Sequence, residues 1–260
     1  MNIIVCIKQV PDTTDIKIDP VTNTLIREGV ESIINPFDVY AIEEAVRIKE
    51  QYGGIVTAIS MGPPQAEVAL REAVSLGVDN IILLSDRKFA GADTWATSLT
   101  ISAAIKKLGD IDLMFFGQQA IDGDTAQVGP GVAAHLDIEQ LCFISKIIKI
   151  EGKKIILERL MEDGYDTIET EMPLVLSVVK EINTPRLPSL RGKKNAKTVE
   201  LTVWKADDLG LDDKSTGLNG SPTQVIKIFS PQLQKNGEKY EVEPDEAAEI
   251  LYRRLKEIRT

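Results

Sequence analysis

Residues 35–62 read NPFDVYAIEEAVRIKEQYGGIVTAISMG, and the reading of this stretch decides the fold. Its first half carries the marks of a helix start. Asn35 can cap, Pro36 suits the first helical position because it has no N–H to leave unpaired, and Asp38 faces the positive helix end. Gly53 and Gly54 then stop the helical pattern, and IVTAISMG follows as a short, largely apolar run. A strand so short and so apolar is covered on both faces, which is the habit of parallel sheets whose helices supply the crossovers.

The same unit recurs on either side. Upstream stands IIVCIKQV (3–10); downstream come PPQAEVALREAVSLG (63–77), NIILLSD (80–86), ADTWATSLTISAAIKKLG (92–109), IDLMFFG (111–117) and DTAQVGPGVAAHL (124–136). The first ~140 residues therefore read as a parallel α/β sheet. After Leu141 the period changes. FISKIIKIEGKKIILERL (143–160) reads as two strands joined at Glu151-Gly152, followed by YDTIETEM and the strand PLVLSVV, together an antiparallel addition to the same domain. From Asn183 the text is irregular, and from Asp207 to Pro222 it is rich in Gly, Ser and Asp, the composition of a linker. The chain divides accordingly into an α/β domain over 1–206, a linker over 207–235 and an arm over 236–260. In the arm, Ala247, Ile250, Leu251, Leu255 and Ile258 form one apolar stripe, which has to be buried on the chain's own sheet or on a partner.

Composition excludes several function classes. The 260 residues are 43% hydrophobic, enough for a real core, and the formal net charge of -10 argues against a nucleic-acid binder, with RGKKNAK (191–197) as a local exception. Cys6 and Cys142 lie far apart without metal-ligand spacing and read as reduced thiols of a cytoplasmic protein. No basic leader precedes the first strand and no apolar run approaches the ~20 residues of a membrane span, so secretion and membrane insertion are not expected. The single histidine, His135, has no serine, cysteine or carboxylate constellation around it and reads as structural or surface-exposed. GxxxxGK[ST] is missing, and GPGVAA (129–134) does not directly follow a strand, so it is no dinucleotide fingerprint.

The polar residues gather instead where strands end: CIKQ, SMGPP, GADTWATS and GQQAIDGDTAQVG. In a parallel sheet ligands bind beyond those ends, and helix N-termini with Thr94, Thr97, Ser98 and Thr125 could hold a diphosphate without any lysine. The bland alternative is that Asp93, Asp122 and Asp124 are only helix caps.

NPFDVYAIEEAVRIKE, SMGPPQAEVALREAVSLGVD, GQQAIDGDTAQVGP and INTPRLPSL occur in this order along nearly the whole chain, and in this the sequence resembles the beta subunit of electron-transfer flavoproteins. The resemblance implies a Rossmann-like nucleotide-binding domain in an obligate heterodimer, with the C-terminal arm wrapped on the alpha subunit. It places nucleotide contacts on Cys6; on Asn35, Pro36, Phe37 and Asp38; on Met61; and on Gln118, Gln119, Ala120, Ile121, Asp122, Gly123, Asp124, Thr125, Ala126, Gln127, Val128 and Gly129. DGDTAQVGP (122–130) beside GADTWATS resembles the electron-bifurcating branch, with Thr94 and Thr97 on the flavin side. In that branch FAD takes hydride from NADH; one electron goes to ferredoxin or flavodoxin, the other through the alpha-subunit FAD to an acyl-CoA dehydrogenase. The alternatives are a relay subunit holding AMP and, more distantly, a nucleotide-binding regulatory protein. Residues 183–195 match the family's recognition loop, which implies that Leu190, with Arg191 beside it, docks on the dehydrogenase; a plain surface loop is the other reading.

Overall fold

The computed structural model describes residues 1–12, 32–226 and 237–258, and it divides into two units, Met1–Ile226 and Lys227–Thr260. The first is built on a nine-stranded sheet. Its strands are β1 (Asn2–Cys6), β4 (Ile55–Met61), β5 (Asn80–Leu84), β6 (Leu113–Gly117), β7 (Glu139–Glu151), β8 (Lys154–Met161), β9 (Gly164–Glu171), β10 (Leu174–Val178) and β11 (Leu201–Trp204), in the order β11-β5-β4-β1-β6-β10-β7-β8-β9. A separate antiparallel pair joins β2 (Gln9–Pro11) and β3 (Ser32–Ile34).

Period-two alternation divides the core into two layers. Ile3, Val5, Ile81, Leu83, Leu113, Phe115, Leu174 and Leu176 face one side with α1 (Pro36–Tyr52) and α2 (Glu67–Leu76). Ile4, Cys6, Ile82, Leu84, Met114, Phe116 and Val175 face the other, with α3 (Thr94–Leu108) and α4 (Val128–Leu136). Every central strand is thus apolar on both faces because each face has its own helical cover. From β1 the chain winds outward through β4 and β5, then returns to place β6 on the other flank of β1. That reversal opens a crevice at the carboxyl ends of β1 and β6, where doubly wound sheets bind ligands.

Three stretches differ from their sequence reading. PLVLSVV is not antiparallel: β10 runs parallel between β6 and the start of β7, and in this sheet the antiparallel pairs are β7 with β8 and β8 with β9. Its buried pattern on both faces is that of a central strand. Within 183–206, α5 (Leu190–Thr198) and β11 form where no periodicity announces them. Their support is tertiary: Gly192 lies against the Ser75 carbonyl with no room for a Cβ, and Arg71 of α2 donates to the carbonyl oxygens of Ala196 (2.6 Å) and Val199 (3.3 Å) at the helix end. Residues 207–226, linker-like in composition, belong to the first compact unit; Thr216 is buried and the Leu218 N–H donates to the Ala90 carbonyl at 3.0 Å. The remaining linker residues, 227–235, lie outside those described except as part of the second unit's range. In that unit α6 (Pro244–Ile258) forms as its stripe predicts, with Leu251 and Leu255 exposed.

Candidate functional site

The crevice is framed by the end of β1, the start of α1 and the loop 118–127 after β6. Asn35 does not cap α1 with its side chain. It is spent on the loop: Nδ2 donates to the Gln119 carbonyl at 2.8 Å, and Oδ1 accepts the Ile121 N–H at 3.1 Å. Asn35 is buried, so these bonds replace water that cannot reach the side chain. Lys8 closes the loop from the other side, with Nζ 2.6 Å from Asp122 Oδ1. The Asp122 side chain is buried while the lysine is half exposed.

Asp38 lies under this clamp and accepts the Lys8 backbone N–H on Oδ2 at 2.7 Å. Burial raises its pKa to about 7; N–H donation by Lys8, Asn35 and Gly117 lowers it, but not enough to offset the lost solvation. Gly117 is required here, since a Cβ would sit 2.6 Å from the Phe37 carbonyl carbon and 2.8 Å from the Asp38 nitrogen. Burial also drives the Cys6 thiol well up, with the Asp38 charge adding to it, so Cys6 is a neutral packing residue in the α3/α4 layer. Met61, half-buried at the end of β4, packs on the same layer.

The segment 122–127 is not the first turn of a helix. Asp124 (φ 40°) and Ala126 (φ 54°) take left-handed backbone, Gln127 returns to the right-handed region, and α4 begins only at Val128, with no side-chain cap. A left-handed residue followed by a right-handed one turns successive amides inward, forming an anion-binding nest. The amides of Thr125, Ala126 and Gln127 donate to no acceptor among the described residues. Asp122 is therefore a tether and not a cap, whereas Asp93 does cap, accepting the Ala96 N–H of α3 at 3.0 Å. The glycines that follow allow close packing: Gly129 lies against Phe116, and a Cβ on Gly131 would reach 2.6 Å from Ser98 Oγ.

Thr94 joins the cluster, its hydroxyl donating to Gln127 Oε1 at 3.2 Å, and the Thr97 N–H is used within the helix start on the Asp93 carbonyl. Leu190 and Arg191 lie elsewhere, on α5. The sequence reading missed Lys8, although CIKQ contains it; a diphosphate here would meet a cation at the edge of its site. It also missed Ser221 and Thr223, which hold Asp93 from behind: the Asp93 N–H donates to Ser221 Oγ at 2.8 Å, and Thr223 donates its N–H (2.9 Å) and hydroxyl (2.7 Å) to Asp93 Oδ2. A cavity of about 530 Å3 bordered by Ala133, Asp137, Glu139 and Pro173 opens at the opposite, amino-terminal edge of β7 and β10 and shares no residue with this cluster.

Fold and cluster together define a doubly wound α/β protein with its polar groups collected at the strand-order reversal. Residues 22–209 match the family described as Electron transfer flavoprotein domain. The chain is 54% identical over 256 residues to the electron transfer flavoprotein subunit beta of Thermoanaerobacterium thermosaccharolyticum, covering 98% of each. It is 52% identical over 239 residues to the caffeyl-CoA reductase-Etf complex subunit CarD of Acetobacterium woodii (92% of this chain, 91% of that one), and 44% identical over 265 residues to protein FixA of Azotobacter vinelandii (98% and 94%). The chain belongs to the electron-transfer flavoprotein family, as a beta subunit. None of the described helices is long and apolar enough to cross a membrane.

Proposed function

We propose that this beta subunit holds FAD in the crevice between β1 and β6 and works in the bifurcating mode, as a cytoplasmic heterodimer with an alpha subunit. The observation that carries the reading is the turn at 124–127, where three successive amides have no acceptor among the described residues. The donor set fits a diphosphate: the amides supply hydrogen bonds, Lys8 stands at the rim, and the carboxylates of Asp122 and Asp93 are already engaged. FAD held there would supply the redox chemistry, hydride acceptance from NADH and delivery of single electrons to ferredoxin or flavodoxin on one side and to the alpha-subunit FAD on the other. The chain's own part is to bind and to exclude: Asn35 and Lys8 fix the loop, Thr94 and Gln127 lock the two helix starts together, and Thr125 and Ala126 leave room for a stacked ring. Similarity to CarD, which is named for a caffeyl-CoA reductase-Etf complex, supports an acyl-CoA dehydrogenase as the final partner. Leu190 and Arg191 would dock on it, and the arm 236–260 would pack on the alpha subunit through the exposed Leu251 and Leu255.

A second reading keeps the same nest but fills it with AMP, since the nest recognises phosphate and not the ring. The test is the nucleotide content of the purified alpha-beta complex. Two FAD per heterodimer and NADH-driven flavin bleaching support the first reading; one FAD with one AMP supports the second.

A further inference from the structure

Near the end of the first unit, residues 212–221 fold into a run of turns seated against residues 88–93. Gly217 takes left-handed backbone (φ 54°), and a Cβ on it would collide with the carbonyl oxygens of Lys88 and Ala90. The Leu218 N–H donates to the Ala90 carbonyl at 3.0 Å, and the Ser221 hydroxyl donates to the Gly217 carbonyl at 2.7 Å, which leaves its oxygen lone pairs free to accept. That oxygen takes the Asp93 N–H at 2.8 Å, and Thr223 gives its N–H (2.9 Å) and its hydroxyl (2.7 Å) to Asp93 Oδ2.

A helix cap does not call for this. Asp93 Oδ1 already accepts the Ala96 N–H at 3.0 Å, which is the whole task of a capping side chain, yet bonds arrive from residues 128 and 130 positions further along the chain. They pin the first turn of α3 from behind, and the next residue is Thr94. Its hydroxyl reaches across to Gln127 Oε1 at 3.2 Å, and among the described residues the Gln127 side chain makes no other hydrogen bond. Gln127 carries the last of the three successive amides that have no acceptor among the described residues, directly after left-handed Ala126. A hydrogen-bonded path therefore runs from Thr223 through Asp93 and Thr94 to the turn that forms the nest.

We propose that Ser221 and Thr223 are positioning residues of the nucleotide site, which act through Asp93 and Thr94 to hold Gln127, and with it the amide turn 125–127, in the shape that binds phosphate. The inference rests on the reading of that turn as a phosphate site and adds the remote residues that preorganise it. Asp124 and Ala126 stand in left-handed backbone without being glycine, a conformation that persists only where the surroundings fix it. Fixing the turn before the nucleotide arrives lowers the ordering cost of binding.

The test uses the alpha-beta complex freed of the nucleotide of this subunit, titrated calorimetrically with FAD and with AMP at a temperature well below unfolding. The double variant Ser221→Ala, Thr223→Val is expected to bind both nucleotides roughly threefold to tenfold more weakly, whereas Thr223→Ser, which keeps the hydroxyl, retains the parent affinity. In a Thr94→Val background the path is already cut, so the same double substitution should add less than about a twofold loss. Unchanged affinity accompanied only by a lower urea midpoint would overturn the inference and leave Ser221 and Thr223 as stabilisers of the fold; so would a full additional loss in the Thr94→Val background. Thr125→Glu separates this from the reading beneath it. If that variant loses its nucleotide while the Ser221 and Thr223 variants bind normally, the positioning role falls and the phosphate site stands; if it retains its nucleotide, both fall.

Discussion

Asn35 and Ile121 are joined by a hydrogen bond of 3.1 Å between a helix-start side chain and the backbone of the loop after β6, and the same side chain holds Gln119 from its other end. A residue placed to cap its own helix has instead become the peg on which a distant loop hangs. Asn35→Ala would leave the Gln119 carbonyl and the Ile121 amide without their part-buried partner, at a cost of up to ~1–3 kcal/mol each where water does not replace it. Chemical denaturation is expected to show a loss in that range, and calorimetric titration of FAD or AMP a weaker affinity. Unchanged values for both would mean the loop holds its shape unaided.

Asp38 gives a pH dependence whose sign can be worked out. Its folded pKa, about 7, lies above the ordinary aspartate value, so the folded protein binds this proton more tightly than the unfolded chain. The stability so gained is full in acid and is lost as pH rises through about 7. Asp38→Asn stays neutral and should lack this component. Urea denaturation across that interval is expected to show the parent protein losing stability relative to the variant.

Asp93 caps α3 with one oxygen and holds Thr223 with the other. Burial raises its pKa, but the N–H and hydroxyl donors outweigh that and leave it lowered. Asp93→Ala is expected to cost ~1–2 kcal/mol for the lost cap and to expose the 221–223 segment to proteases. Thermal melting and limited proteolysis report the two effects separately, and an undisturbed 221–223 would show that Ser221 and Thr223 hold without the carboxylate.

Gly131 faces Ser98 where α4 crosses α3, with 2.6 Å between the position of an added Cβ and the serine oxygen. Gly131→Ala should therefore push the helices apart, costing ~1–3 kcal/mol. Because the Ser98 Cβ is itself 2.8 Å away, Ser98→Gly should recover more of the loss than Ser98→Ala. A double-mutant cycle measures this, and additive losses would place the strain elsewhere.

Thr125→Glu puts a carboxylate into the nest. If the nest holds a diphosphate, like-charge repulsion in a partly desolvated site should expel the nucleotide from this subunit. The flavin of the alpha subunit is expected to remain. Nucleotide extraction together with NADH-driven bleaching decides the matter: full retention of both flavins with normal bleaching would leave 122–130 as an ordinary connection.

The alternation of short apolar runs with helical patterns was sufficient to read the parallel sheet, because two-sided burial writes itself into composition: Ile3, Val5, Ile4 and Cys6 are all apolar since both faces of β1 are covered. The strand-end location of the candidate site followed from that reading, as did the interest of DGDTAQVGP. Tertiary structure alone decided the rest. PLVLSVV could be placed anywhere in a sheet by its own residues; only pairing with β6 and β7 makes it central and parallel. α5 has no apolar stripe, and it exists because Arg71 and the close approach at Gly192 fix it on α2. The remote partners of the Asn35, Lys8 and Asp93 side chains, Gln119, Asp122 and Thr223, lie 84, 114 and 130 residues away along the chain, and whether a side chain reaches a remote loop is settled by packing, which leaves no local periodicity to read.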